Sequence, residues 1–172
     1  MVESVQLVKV VTHHKKKLRR SGAELFGKLG VAAIGWNQVG DLTHKSMEEM
    51  EAILMEKRQY SKNHAANAAG QLVAWRDRVK EKDMIFAYEC DNIVARIGDV
   101  IGRYMFDRSN ALGDLDGEFK YPQQIKVKWR EKPRFFHRSE LPDLSDWLAR
   151  RGTIALRDYD RIAVEDMLRR IR

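Results

Sequence analysis

One cysteine, Cys90, is the only thiol in 172 residues. That excludes an intramolecular disulfide and any zinc site built from several thiolates, and it points to a reducing, intracellular setting. Cys90 follows an apolar stretch with no base beside it in sequence, so thiol chemistry is not indicated either. No apolar run approaches the roughly 20 residues of a membrane span. The first residues also lack the basic, apolar and small segments of a signal peptide. The expectation is a soluble, cytoplasmic protein with no membrane partner. Repeats and low-complexity linkers are absent and the length is that of one ordinary domain, so residues 1–172 read as a single domain.

Signatures of catalysis are missing as well. The chain has no phosphate-binding GxxxxGK[ST], no GxGxxG, no GxSxG and no HExxH. His13 and His14 are adjacent and would face opposite sides of a strand, while His44, His64 and His137 are isolated, which leaves no histidine spacing suited to a metal. Glu48-Glu49 and Glu165-Asp166 read as solvated helix faces. Asp114 and Asp116 in "GDLDGE" offer a carboxylate pair, but without the strand-borne acidic-x-Lys pattern of a metal-dependent nuclease, and a turn accounts for them better. No catalytic residue, metal or cofactor is expected.

Charge is what the chain has in excess. Lysine and arginine number 32 against 25 aspartate and glutamate, a formal net charge of +7. Abundant charge alone is explained by surface ion pairing. The surplus of positive sign instead favours a polyanionic partner, because each neutralised phosphate releases condensed counterions.

Along the chain, the valine-rich "SVQLVKVVT" reads as a strand. The basic run "HHKKKLRR" follows, then a short helix in "SGAELFGKLG" and a second buried strand, "VAAIGW". Ser46 and Glu49 form a capping box for a helix reaching about Tyr60, and a second helix from Asn63 to Val79 begins with a cluster of alanines. Asp91-Asn92 fits a hairpin turn between "MIFAY" and "IVARIGDVIGRYMF", in which Gly98 and Gly102 predict bends or bulges. In "QIKVKWR", Ile125, Val127 and Trp129 alternate with Lys126, Lys128 and Arg130, giving one apolar and one basic face. Beyond about 143 the pattern predicts a helical extension: Ser145 caps one helix, "TIAL" adds a small strand, and Asp158 or Asp160 opens a last helix. The fold class expected is α+β, a small, strongly curved β-barrel flanked by helices.

Aromatic residues gather where strands end. Trp36 runs into "NQVGDL", Tyr104 and Phe106 precede Asp107, Trp129 lies in the basic strand, and Phe135 and Phe136 follow it. Such a set suits a pocket in which an extruded base stacks between rings and is identified by a few hydrogen bonds. The blocks "GWNQVGDL", "KEKDMIFAY", "IVARIGDVIGRYMFD" and "YPQQIKVKWR", in this order over residues 4 to 142, resemble the EVE and YTH branch of the PUA-like superfamily. They are most similar to the version at the N-terminus of archaeal McrB-type modification-dependent restriction proteins. One departure is Lys82-Asp83 where that family shows Gly-Asp.

The resemblance implies a reader without catalytic activity that flips N6-methyladenine out of double-stranded DNA. It places Trp36, Asn37, Asp41, Tyr104, Phe106 and Trp129 at the base pocket. Lys15, Lys16, Lys17, Arg19, Arg20, Arg76, Lys126, Lys128 and Arg130 are the candidates for contact with the nucleic-acid backbone. A GTP-binding motor domain and a nuclease subunit are the implied protein partners. Three alternatives stay open on sequence: a reader of methylated RNA, a metal-dependent nuclease using Asp114 and Asp116, and a protein-interaction module with an incidental basic surface.

Overall fold

A computed structural model describes residues 4–12, 19–89, 91–108 and 121–171, with only the backbone described at 19–21. The basic run 13–18, Cys90 and the segment 109–120 lie outside the described residues, and with them Lys15, Lys16, Lys17, Asp114 and Asp116. In chain order the elements are β1 (Ser4–Val11), α1 (Arg19–Leu29), β2 (Val31–Ile34), α2 (Met47–Arg58), α3 (Lys62–Asp77), β3 (Met84–Glu89), β4 (Ile93–Phe106), β5 (Gln123–Trp129), β6 (Phe136–His137), α4 (Pro142–Leu148), β7 (Ile154–Asp160) and α5 (Arg161–Arg170). The fold is α+β, as expected. No described helix is long and apolar enough to cross a membrane.

All seven strands join one mixed sheet in the order β2-β5-β4-β3-β1-β7, with β6 paired to β4. β1 and β3 run parallel; the other ladders are antiparallel. Cα atoms of β2 come within 8 Å of β1, yet no ladder joins these strands. The sheet therefore curls toward itself but is not closed, where the sequence reading expects a small barrel.

Alternation along the central strands splits the core between two faces. Val8, Val10, Ile85, Ala87, Ile125 and Val127 point toward Phe26 of α1 and Leu54, Leu72 and Trp75 of α2 and α3. Val5, Leu7, Met84, Phe86 and Ile97 point the other way, toward Leu144, Trp147 and Leu148 of α4 and Val164 and Leu168 of α5. The small residues of α3 serve packing: Ala65, Ala68 and Ala69 are buried, which lets the helix lie close to the sheet. Ser46 and Glu49 form the expected capping box, each side chain bonding the other's backbone N–H.

Two C-terminal expectations are corrected. Where "TIAL" reads as a small strand, β7 runs 7 residues and pairs with β1 from Ser4↔Asp160 to Val10↔Ile154, while α4 and α5 complete the second core. Ser145 lies inside α4, which starts at Pro142; proline pre-sets the first helical φ, and the serine hydroxyl instead accepts from Arg138 at 2.8 Å. Asp160 caps α5 as expected, accepting from Ile162 N at 2.8 Å.

Arg130, at the end of β5, pins α5 to the sheet. Its guanidinium donates to both oxygens of Glu165 at 2.7 and 2.8 Å and to Asp99 at 3.3 Å. This two-pronged pair engages the guanidinium within the fold, a structural role beside the nucleic-acid contact expected of Arg130. The bond from Arg130 is the main cause holding the Glu165 carboxyl below its ordinary range. A depressed carboxylate contributes stability that is present above the unfolded value, near 4.5, and is lost as pH falls through the lower folded value. Glu165→Gln is expected to cost about 1 kcal/mol at neutral pH and to remove that part of the acid sensitivity. Urea unfolding at pH 7 and pH 3 checks this; parallel losses in both proteins would show that the pair is not the source.

Candidate nucleic-acid interface

A cavity of about 520 Å³ opens at one end of the sheet, where the pairing of the parallel strands β1 and β3 finishes at Val11 and Tyr88. Its volume falls within the ~300–1,000 Å³ of small-ligand pockets. The residues around it come from six separate places in sequence. The turn after β2 gives Gly35, Trp36, Asn37 and Gln38; the α2–α3 junction gives Arg58, Tyr60, His64, Ala68 and Gln71. The ends of β1 and β3 give Lys9, Val11, Tyr88 and Asn92, the start of β5 is approached through Tyr121, and the turn before β7 gives residues 149–153.

Trp36 owes its place to backbone geometry. The strand ends at Ile34, and Trp36 adopts the left-handed conformation, φ 56° and ψ 44°, ahead of a single 3-10 turn, Asn37–Val39. Such a conformation costs a bulky residue roughly 1–2 kcal/mol, so the surroundings must enforce it. They do so through side chains that take up the backbone of the following loop. Gln123, fully buried, donates to Gly40 O at 2.9 Å. The Tyr104 hydroxyl accepts from Leu42 N at 3.0 Å and donates to Gln123 Oε1 at 2.7 Å. Arg76 donates to Leu42 O at 2.7 Å and Lys45 O at 2.6 Å. Val39 and Leu42 are buried beneath.

Of the six residues expected at the base pocket, Trp36 and Asn37 line the cavity and four do not. Asp41 accepts from Thr43 Oγ1 at 2.6 Å and Thr43 N at 3.0 Å, closing a local turn. The Thr43 hydroxyl is the main cause of its lowered pKa. Tyr104 belongs to the bracing of that loop; burial pushes its hydroxyl pKa up to about 12, so it stays protonated as a donor. Phe106 sits where β4 pairs with Gln123 of β5. Trp129 stacks on Phe26 with centroids 6.4 Å apart, and its indole N–H donates to Val31 O at 3.1 Å, which makes it a structural residue.

The backbone-contact candidates divide in the same way. Lys126 and Lys128 are exposed on β5, away from the cavity lining. Arg76 bonds the loop carbonyls and pairs with Asp77 at 2.6 Å. Arg19 and Arg20 open α1, with their side chains outside the described residues.

Sequence reasoning missed most of the cavity. Tyr60 and His64 stack with centroids 3.8 Å apart and ring planes 8° from parallel; Tyr88 and Tyr121 add two further rings. Four cations, Lys9, Arg58, Arg150 and Arg151, stand around it, and its described lining has no carboxylate. Gln38 also lines the cavity, and its side-chain oxygen is buried within the protein without a hydrogen-bond partner. Whichever way the amide is turned, a polar atom is left over there, at a cost of ~1–3 kcal/mol. Aromatic rings and cations suit a planar heterocycle attached to an anion.

No curated protein matches the chain. A family model described as a domain of unknown function covers residues 16–145. Its span holds the ring-bearing walls, Trp36, Tyr60, His64, Tyr88 and Tyr121, and stops short of Lys9 and the turn 149–153. The chain belongs to this domain family of unknown function, DUF8426.

Proposed function

We propose that the protein is a reader of modified DNA which takes an extruded base, N6-methyladenine in the first instance, into the cavity beside Trp36. The observation that carries this reading is the cavity itself: room for a base, walls of Trp36, Tyr60, His64, Tyr88 and Tyr121, and a cationic surround with no carboxylate on its described lining. The sheet that curls until β2 lies near β1 is consistent with a PUA-like fold of the EVE and YTH branch.

Energetically the scheme is balanced. Extruding a base costs a few kcal/mol, and stacking returns ~1–3 kcal/mol per base. Contacts from cations to the flanking phosphates supply the rest. N6-methylation leaves one N–H on the exocyclic nitrogen. That N–H is a donor for a side-chain amide on the lining such as Asn37, while the methyl group gains apolar contact with the rings. On this reading the chain targets and does not cut; a GTP-dependent motor and a nuclease would be carried by other domains or subunits.

The test is a titration panel of duplexes that are unmodified, N6-methylated or 5-methylated at cytosine, with a methylated RNA of equal length. Preference of about tenfold or more for the N6-methylated duplex is expected. Equal affinity for all duplexes removes the reading, and a strong preference for the RNA moves the function to RNA. Cleavage by this chain alone with magnesium would overturn the non-catalytic part.

A further inference from the structure

Resting on that reading, we propose that the turn before β7 is a phosphate clamp, in which Arg150 and Arg151 hold the phosphates flanking the extruded nucleotide. Both arginines stand at the cavity and are exposed. Neither side chain makes a hydrogen bond or ion pair with another described residue.

What distinguishes them from other surface arginines is the way their backbone is fixed. Lys9, almost fully buried, donates its ammonium to the carbonyl of Arg150. Gln71, from α3, accepts from Thr153 N at 2.8 Å and Ile154 N at 3.0 Å. Arg150 N donates to Trp147 O at 3.2 Å, and Val11 N to Thr153 O at 2.9 Å. Between them Gly152 holds φ at 104°, a conformation side chains disfavour. An added Cβ there would also meet Gln71 Oε1 at 3.2 Å. Burying a lysine and committing a half-buried glutamine to hold a short turn is costly, and it leaves two guanidiniums presented beside the aromatic walls. Guanidinium is the side chain best matched to phosphate, by a planar fork of donors.

A double-mutant cycle between protein and DNA tests this. In the N6-methylated duplex, the phosphates on either side of the modified nucleotide are replaced by neutral methylphosphonates. In the wild-type protein this replacement is expected to weaken binding about tenfold, as for loss of a charged hydrogen bond. In Arg150→Ala/Arg151→Ala the charged duplex should bind about tenfold more weakly, and the methylphosphonate replacement should have little further effect. Arg169→Ala/Arg170→Ala, the same charge removed from the far end of α5, should keep the full tenfold penalty. The clamp is overturned if the replacement costs the wild type nothing, or costs the Arg150/Arg151 variant as much as the wild type. Loss of preference for methylated over plain DNA in the wild type is a separate result, which overturns the base-reading proposal instead.

Discussion

Trp36→Ala is expected to erase most of the preference for methylated over plain duplex while leaving weak, salt-sensitive binding. Stacking of a base on one aromatic ring is worth ~1–3 kcal/mol, so the loss in affinity for the methylated duplex should be roughly 5- to 150-fold. The unmodified duplex, held by cations on its backbone, should lose far less. Equal losses on both duplexes with intact folding would make Trp36 a general contact. The backbone supplies a second readout. At φ 56° alanine keeps the left-handed penalty and glycine escapes it. Both substitutions remove the same indole, so Trp36→Gly should be the more stable by about 1 kcal/mol. If the alanine variant is the more stable, the surroundings do not impose the left-handed turn on Trp36, and the account of how it is positioned fails.

Local signals in the sequence were strong where one short segment decides the structure. The Ser46–Glu49 capping box, the Asp91-Asn92 hairpin and the Asp160 cap all depend on residues within a few positions of one another, and each was legible. The cavity was not, because its walls are brought together by topology. Tyr60 immediately precedes the cap Ser61, a position whose side chain folds back over the first helical turn. There it meets His64; the adjacency of a helix stop and a cap was the one available signal. Tyr88 and Lys9 reach the cavity because β1 and β3 run parallel and end together, which no local pattern reveals.

Aromatic residues at strand ends were the wrong guide for Tyr104 and Trp129. A ring with a polar atom can meet its need inside the fold as well as at a ligand, and these two do, at Gln123 and at Val31 O. They act at one remove: Tyr104, Gln123 and Arg76 hold the loop that follows Trp36. Of the residues read from sequence, Trp36 and Asn37 line the cavity and Tyr104 braces the loop beside it.

Gly98→Ala should be among the most damaging single-methyl additions in the sheet, and Gly102→Ala, four residues along the same strand, should be nearly harmless. Both glycines read from sequence as bends or bulges. Gly102 does lie where β4 slips register against β5, between Val100 and Tyr104. Gly98 is in register, opposite Trp129 on β5 and Ile85 on β3, and its reason is close approach. A Cβ there would stand 2.5 Å from Val127 Cγ1 and 2.8 Å from the carbonyl oxygen of Lys128. The second is backbone and cannot turn away, so β4 and β5 would have to part. At Gly102 the nearest atom is Lys126 Cβ at 3.1 Å, which has to give by only a few tenths of an ångström at a point where the ladder is already out of register. Overpacking of this kind costs ~1–3 kcal/mol. For a chain of this size each kcal/mol lowers Tm by about 2–4 °C, so Gly98→Ala should melt roughly 5–10 °C below the wild type. Because β5 begins with Gln123, which supports the loop beyond Trp36, parting the strands should also weaken selective binding. Thermal melts of the two variants side by side decide the point: equal losses would mean that the approach of β5 to Gly98 is not what requires a glycine there.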